Sequence, residues 1–467
     1  MLPANPKLGE GSPRGVILHY SPLTVHSSRS DATIALETLG CKVNQYESSY
    51  FLEVLQQAGY RPVPFRERAD IYIVHSCAVT AKAGFQTRQL LRRARRANPD
   101  AMVVAAGCYA QLEANRIADE RLATHILGNP GKFNLLDWLN RPGSFEEPCL
   151  ALDPAPRSCS EFEILPISRM HTGRTRAMLK IQDGCDSFCS YCVVPHVRGR
   201  SRSLPARLVQ AQMEELLSAG YQEIVLTGIH LGKWGKDLEP ELSLSHLLEK
   251  MNSNHHPARL RLSSLEPEEF DSGLLGVISS APWICRHFHI PLQSADPEIL
   301  ARMGRAYNPQ NYAELVARIH ADFPHAAIGA DVLTGFPGES EKQFENTLKF
   351  IEDLPLSYLH VFPFSPRPGA AAATFSGRIE GRELKRRATV LQALSKRKKR
   401  AFREKFIGKP LEVLIQTEVQ PGLWEGLSDN YIRVLFPPNE GSCPGKLTRV
   451  KATGFRTEDL EGEPFKE

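Results

Sequence analysis

The chain has 467 residues, 42% of them hydrophobic, with a formal net charge of +4 and ten cysteines. That length and apolar content support two or three separately cored domains, and cysteines grouped with Gly and polar residues favour metal ligation over disulfides. No run of eighteen apolar residues occurs and residues 1–30 lack the apolar block of a secretion signal, so a soluble, cytoplasmic protein without membrane contact is expected.

Residues 1–31 read as a disordered extension. From 32 to 140 strands and helices alternate: Ala32–Leu36 as strand, Ser48–Ala58 as helix, Ile71–Val74 as strand, Lys82–Asn98 as helix, Ala101–Ala106 as strand and Leu112–Asp119 as helix. This predicts a small parallel α/β sheet domain. Residues 141–170, rich in Pro, Ser and acidic side chains and without periodicity, read as a linker in which Cys149 and Cys159 are bystanders. Between 171 and 403 six strands follow, at Ala177–Gln182, Glu223–Thr227, Arg259–Ser263, His287–Pro291, Ala327–Leu333 and Leu359–Phe364. Helices are expected at Ala206–Ala219, Ser245–Met251, Asn311–Ala321 and Glu341–Glu352. Six βα units predict an open, partial TIM-like (βα)6 barrel, with a closed eight-unit barrel as the weaker alternative. A basic helix, Arg382–Lys405, ends near Gly408, and residues 404–467 read as a small all-β module with strands Leu411–Thr417, Leu423–Leu427, Tyr431–Phe436 and Lys446–Ala452. The positive charge is concentrated: Arg378 to Lys409 holds thirteen Lys and Arg against three Glu.

The cysteines carry the chemistry. Cys41, Cys77 and Cys108 each lie just past the end of a predicted strand, and in a parallel sheet such ends converge on one crevice. Singly, each reads as a buried small hydrophobe; together, with Gly before two of them, they read as three ligands of one cluster with an open iron. Cys185, Cys189 and Cys192 form a CxxxCxxC triad after the first barrel strand. Three thiolates at that spacing wrap one face of a cubane [4Fe–4S] cluster and leave the fourth iron free for a substrate. The zinc alternative needs a fourth ligand, for which His196 is the nearby candidate.

This triad, with Tyr191 before its last cysteine, resembles the signature of the radical S-adenosylmethionine superfamily. Nearly all of Ala32–Glu467 resembles the methylthiotransferases, whose pattern is an amino-terminal cluster domain, a radical barrel and a carboxy-terminal OB-like TRAM module. The stretch Leu39-Gly40-Cys41-Lys42-Val43-Asn44-Gln45-Tyr46-Glu47 is most similar to the branch acting on N6-threonylcarbamoyladenosine at tRNA position 37. Isopentenyl-adenosine relatives usually carry Gln and Met in place of Lys42 and Val43. Further resemblance lies in Val193–Ser203, Leu226–Gly228, Arg261–Pro267, Pro291–Ser294 and Asp331–Glu339. The departures are His75-Ser76 in place of Asn-Thr, Ala295 in place of Gly and Ala370 in place of Thr.

The resemblance implies two [4Fe–4S] clusters, one on each cysteine set, and S-adenosyl-L-methionine both as methyl donor and as radical source. It implies methylthiolation at adenine C2 by a monomer that draws on a low-potential electron donor and a sulfur source. It places Thr227 and Gly228 at the methionine amino group, Ser264 and Glu266 near the carboxylate or ribose, and Asp331 through Gly335 beside the adenine. An inert C–H bond needs a radical, which fits a sequence without a nucleophilic triad or acid–base pair. A tRNA partner needs positive surface, for which three sets are candidates: Arg198, Arg200 and Arg202; Arg88, Arg92, Arg93, Arg95 and Arg96; and the run from Arg378 to Lys409. In the β module Phe406, Trp424, Tyr431 and Phe436 stack bases or fill the core, with core packing favoured for Trp424. Competing readings are an enzyme modifying isopentenyl-adenosine tRNA or a ribosomal-protein aspartate, and a non-catalytic RNA-binding iron–sulfur protein.

Overall fold

The β-branched and small residues of Thr33–Thr38, Ile71–Ser76 and Met102–Gly107 build the centre of a six-stranded sheet. All its strands are parallel, in the order Arg61–Pro62, Thr33–Thr38, Ile71–Ser76, Met102–Gly107, His125–Leu127, Cys149–Ala151. The strand Ile71–Ser76 is buried along its whole length, as a parallel strand covered on both faces must be. The chain is described from a computed structural model covering residues 16–18, 31–153, 156, 162–165, 167, 173–252, 258–439 and 441–465.

Three expectations change here. The first helix runs from Lys42 to Gln57, so Cys41 is its N-cap; the start is hidden in sequence because the helix buries the polar residues Asn44, Glu47, Ser48 and Ser49. The helix expected at Leu112 begins at Cys108, and a second one spans Ala114–Asp119. The expected linker contributes Cys149–Ala151 to the sheet edge, and its Phe162–Ile164 pairs in parallel with Val16–Leu18 from the segment read as disordered. Cys159 lies outside the described residues.

The central domain has the six expected strands. Ala177–Lys180, Glu223–Thr227 and Arg259–Leu262 form one parallel half, and His287–His289, Ala327–Thr334 and Tyr358–Pro363 the other. An isolated bridge between Leu260 and Ile284 joins them into an open, curved wall, and no seventh or eighth unit occurs among the described residues. The helix Gly381–Glu404 packs on the last strand. The terminal module is a closed five-stranded barrel in the order Pro410–Gln420, Leu423–Ser428, Arg433–Phe436, Asp459–Pro464, Leu447–Arg456. Its last strand escapes sequence reading because it buries only Leu460 and Gly462. No helix among the described residues is long and apolar enough to cross a membrane.

Charged side chains join these units. Glu223 is fully buried and receives Arg259 at 2.7 Å and Arg261 at 2.8 Å; both guanidiniums then donate to terminal-barrel carbonyls, Arg259 to Leu427 at 2.5 Å and Arg261 to Ser428 at 3.0 Å. At the opposite end, Glu47 of the first domain accepts from Lys132 at 2.6 Å, Lys180 at 3.4 Å and Arg198 at 3.1 Å, every one of these side chains being buried. Asp183 accepts from the same Arg198 at 2.9 Å. Burial opposes the Glu47 charge, but Arg198, Lys132 and Lys180 hold its carboxyl well below the usual range.

Replacing Glu47 with Ala leaves buried Lys132 without its carboxylate and leaves Lys180 and Arg198 with Asp183 alone, an effect of roughly 3–5 kcal/mol. A clearly lower urea midpoint for the cluster-free chain is expected; an unchanged midpoint contradicts this account of the interface.

Candidate functional site

The first cysteine set forms where three parallel strands end. Cys41 caps the helix Lys42–Gln57, Cys77 follows Ile71–Ser76, and Cys108 opens a short helix after Met102–Gly107. Gly40 permits their approach: at φ +105° it takes a conformation that other residues avoid, and a Cβ there would stand 2.9 Å from the Cys77 sulfur. Burial pushes all the way up on Cys77, to about 12, and the charges of Cys108 and Cys41 add to it. Cys41 is exposed by surface area, yet its thiol is also raised, by desolvation first, with Arg198 opposing. Asn129 donates to the Cys108 sulfur at 3.5 Å, and Asn44 Oδ1 stands 3.7 Å from that of Cys41.

The second set lies on the loop after Gln182–Asp183. Backbone amides of Ser187 and Val194 donate to Cys185 and Cys192, each at 3.4 Å, and Arg305 donates to Cys189 at 3.5 Å. Such donors suit the sulfurs of an iron–sulfur cluster, whose potential they tune. The two outer cysteines differ. Burial opposes the Cys185 thiolate, but the hydrogen bond and charge of His230 outweigh it and the thiol is lowered, whereas burial pushes Cys192 to about 12. His230 stands 3.4 Å from the Cys185 sulfur and 2.7 Å from Glu269; those two partners overcome its desolvation and raise it to about 10. His196, the zinc alternative's fourth ligand, makes an edge-on ring contact with Phe188.

Arg198 links the sets. It lies at the end of the short helix after Cys192, donates to Asn44 Oδ1 at 2.6 Å and to Glu47, and Asn44 in turn holds the Leu39 and Ser76 carbonyls at 2.8 and 3.0 Å. The loops bearing Cys41, Cys77 and Cys192 are therefore fastened to one guanidinium.

The residues expected around S-adenosylmethionine fall in several places. Thr227 is buried at a strand end, and Gly228 packs against Gln182, whose Nε2 donates to the Asp183 and Gly184 carbonyls at 3.0 and 2.9 Å just before Cys185. Glu266 forms a close ion pair with Arg305, the donor to Cys189. Ser264 Oγ bonds His289 Nδ1 at 2.6 Å, and Asp331 Oδ1 lies 3.2 Å from both His289 and His360. Those imidazoles hold the Asp331 carboxyl well below its usual range although burial opposes it. Gly335 is placed differently: its amide donates to Glu339 at 2.7 Å and it packs against Leu384 of the long helix. Lys42 enters the same neighbourhood, lowered to about 8 by desolvation and then by Arg176 and Arg261. Sequence reasoning missed Glu47, Lys132, Asp183, His230, Glu269, His289, Arg305 and His360, since single charged residues inside strand or helix patterns carry no spacing signal.

One expected positive surface is corrected, while the long helix keeps part of its charge exposed. Arg198 and Arg202 are buried, and Arg200 alone of that series is exposed. Much of the long helix pairs within the chain, Arg386 and Arg387 with Glu341 and Glu383, Arg397 with Glu352 and Arg403 with Asp459. On the helix Ala81–Ala97, Arg92 pairs with Glu120 and Arg88 with the Tyr109 hydroxyl, leaving Arg93 and Arg96 exposed. Of the four aromatics, Phe406 and Phe436 fill the terminal core, Trp424 packs against it, and Tyr431 stacks on His287 of the central barrel at 4.3 Å.

Residues 33–128 match the family described as Uncharacterized protein family UPF0004, and residues 179–351 match the Radical SAM superfamily. The chain is 33% identical to the threonylcarbamoyladenosine tRNA methylthiotransferase MtaB of Bacillus subtilis, over 90% of this chain and 93% of the relative. The enzyme of that name from Aquifex aeolicus is 36% identical over 89% and 99%. A tRNA-2-methylthio-N(6)-dimethylallyladenosine synthase from Moorella thermoacetica is 31% identical over 92% and 98%. Among solved structures, the radical S-adenosylmethionine methyltransferase TsrM of Kitasatospora setae, with cobalamin and a [4Fe–4S] cluster bound, superposes with a TM-score of 0.54 at 15% identity, over 73% of this chain and 77% of that one. At that identity the likeness concerns the fold alone.

In metal-free, reduced protein near pH 7.5, the thiolate character of Cys185 predicts faster alkylation by iodoacetamide than Cys192. Peptide mass mapping over time checks the order, and equal or reversed rates contradict it.

Proposed function

We propose that this chain, which belongs to the radical S-adenosylmethionine methylthiotransferases, replaces the C2 hydrogen of N6-threonylcarbamoyladenosine at tRNA position 37 with a methylthio group. The observation that carries the reading is Arg198, which follows Cys192 and bonds Asn44 and Glu47 beside Cys41, so that the segments bearing two cysteine triads are fastened together. Relatives named for this activity match the chain nearly end to end, at 33% and 36% identity. Bound to the two triads, iron–sulfur clusters supply the low-potential electron for cleavage of S-adenosylmethionine and a station for the sulfur destined for the product.

The protein's own groups bind and orient. Cys185, Cys189 and Cys192 would hold a four-iron group by three ligands, leaving a metal position for the methionine end of S-adenosylmethionine. Thr227, Gly228, Ser264, Glu266 and Asp331 line its seat, while Gly335 shapes the turn that sets the last strands against the long helix. Arg305 serves two neighbours, Glu266 and the Cys189 sulfur, and so ties the ligand's seat to the triad. A low-potential reductant and a sulfur source act as partners.

The adenine to be modified lies in an anticodon loop, where it can be splayed out without opening a duplex. Large exposed aromatics are Phe85 on the helix after Cys77, Phe188 between Cys185 and Cys189, and Phe362 next to His360, with exposures of 53%, 46% and 38%. Large apolar side chains left in water at a site mouth suit base stacking, and Arg93, Arg96, Arg382 and Lys385 supply exposed positive charge for phosphates.

Anaerobic chain loaded with iron and sulfide, given S-adenosylmethionine, dithionite and threonylcarbamoyl tRNA, is expected to yield 5′-deoxyadenosine, methionine and the 2-methylthio nucleoside by mass spectrometry. Full iron content with none of these products overturns the reading. Replacing Phe85 and Phe362 together with Ser is expected to weaken tRNA binding by about thirtyfold or more, since each stacked base contributes about 1–3 kcal/mol. The salt dependence should be preserved; an altered slope with unchanged affinity counts against stacking.

A further inference from the structure

One loop touches the surroundings of both triads, and the reading above gives it no task. Residues 365–372 come just after the last strand of the central domain, Tyr358–Pro363. At its start the loop reaches the first domain. The amide of Ala81, first in the helix Ala81–Ala97, donates to Ser365 Oγ at 3.0 Å, and Arg367 donates to the Ala78 carbonyl at 3.4 Å. Both contacts fall on the turn that follows Cys77. At its far end the loop meets the second triad: the Ala372 amide donates at 2.7 Å to the carbonyl of Ser190, which lies between Cys189 and Cys192. Midway, buried Ala370 packs in one apolar cluster with Ala78, Cys108, Val193 and Val197, drawn from both domains.

The loop is stiff. Pro366 and Pro368 each fix a backbone angle, and the Ala370 and Ala373 amides close turns onto the Arg367 and Ala370 carbonyls at 3.1 and 3.0 Å. Arg367 Nε donates to the Pro366 carbonyl at 3.0 Å, which holds the guanidinium in place. Its position completes a set. Arg198 fastens the central domain beside Cys41, through Asn44 and Glu47, and the Val197 carbonyl, accepting from Asn129 at 2.6 Å, fastens it beside Cys108. The turn after Cys77 takes its direct bonds to the central domain from Ser365 and Arg367. Three points of attachment set the tilt of the first triad as well as its distance from the second. Two leave it free to swing.

We propose that Ser365 and Arg367 are positioning residues: their strap holds the first triad at the spacing and tilt at which its sulfur meets the adenine that the second triad's radical has opened. This rests on the proposed function and deepens it. In coupled turnover each methylthio nucleoside is accompanied by one 5′-deoxyadenosine, which carries away the C2 hydrogen. Misplacing a reacting group by about 1 Å costs on the order of a hundredfold in rate. With the strap loosened, 5′-deoxyadenosine still forms at the second triad, but less of it is matched by product.

The test uses the cluster-loaded full chain with S-adenosylmethionine, dithionite and a threonylcarbamoyl anticodon stem-loop. With Ser365→Ala and Arg367→Ala together, at full iron content, the ratio of 5′-deoxyadenosine to methylthio nucleoside is expected to rise about fivefold or more. Ser365→Thr, which keeps the hydroxyl, is expected to keep the ratio of the unaltered chain; Pro368→Gly, which keeps both bonds in a slacker loop, is expected to raise it. Pulsed electron paramagnetic resonance of the two reduced clusters reads their separation without RNA or turnover, and the double variant is expected to broaden its distribution. An unchanged ratio in the double variant, or a raised ratio with no broadening, overturns the assignment. If the unaltered chain makes no methylthio product, the proposed function falls, and the separation measurement alone decides the strap.

Discussion

A buried carboxylate and a buried guanidinium, Glu47 and Arg198, hold the crevice together. Two charges taken out of water are stabilising only when their remaining partners are in place, and here they are: Lys132, Lys180 and Asp183 complete the group, with Asn44 on the second guanidinium nitrogen. An apolar interface of equal volume can be as stable, but it slides. The ionic one fixes direction, because Arg198 reaches its partners along defined N–H vectors. Four buried cations, Lys132, Lys180, Arg198 and Arg202, face two carboxylates, Glu47 and Asp183, so the group carries surplus positive charge near the first triad. The interface therefore also balances the first triad's charge. His75 belongs to the same group: it bonds Ser48 at 2.8 Å, and burial outweighs Glu47 to lower it to about 4, so it stays neutral and adds no further cation.

The terminal barrel does more than append a surface. Arg259 and Arg261 reach its carbonyls from inside the central wall, and Tyr431, at φ +64°, stacks on His287. With the floor filled, access is through the C-terminal ends of the strands, where both triads lie. A radical that meets neither bulk water nor stray C–H bonds reacts with what is seated in front of it, and a closed floor serves that end.

Strand positions in the two α/β units were legible because fully buried parallel strands such as Ile71–Val74 and Glu223–Thr227 are continuous apolar runs. Both triads were legible too, the second from its spacing and the first from strand ends that a parallel sheet must bring together. The start of the first helix was not, because its buried face is polar in order to meet Arg198. Nor were Asp459–Pro464, which buries two residues, and Cys149–Ala151, an edge strand held by its backbone. Charge was misread for a physical reason: the arginines at 198, 202 and 387 look in sequence like solvated surface, yet carboxylates brought close by the fold take them up. The numbers of charges were available, but their pairing is a tertiary property.

The central claim is that one chain carries two separate cysteine sites, each supplying three sulfurs to its own four-iron group. Mössbauer spectroscopy on anaerobically isolated protein labelled with 57Fe measures this directly. The account predicts two cubane clusters per chain, with one remaining when Cys185, Cys189 and Cys192 are replaced together by Ala. A single cluster in the unaltered chain, or none after that replacement, contradicts it.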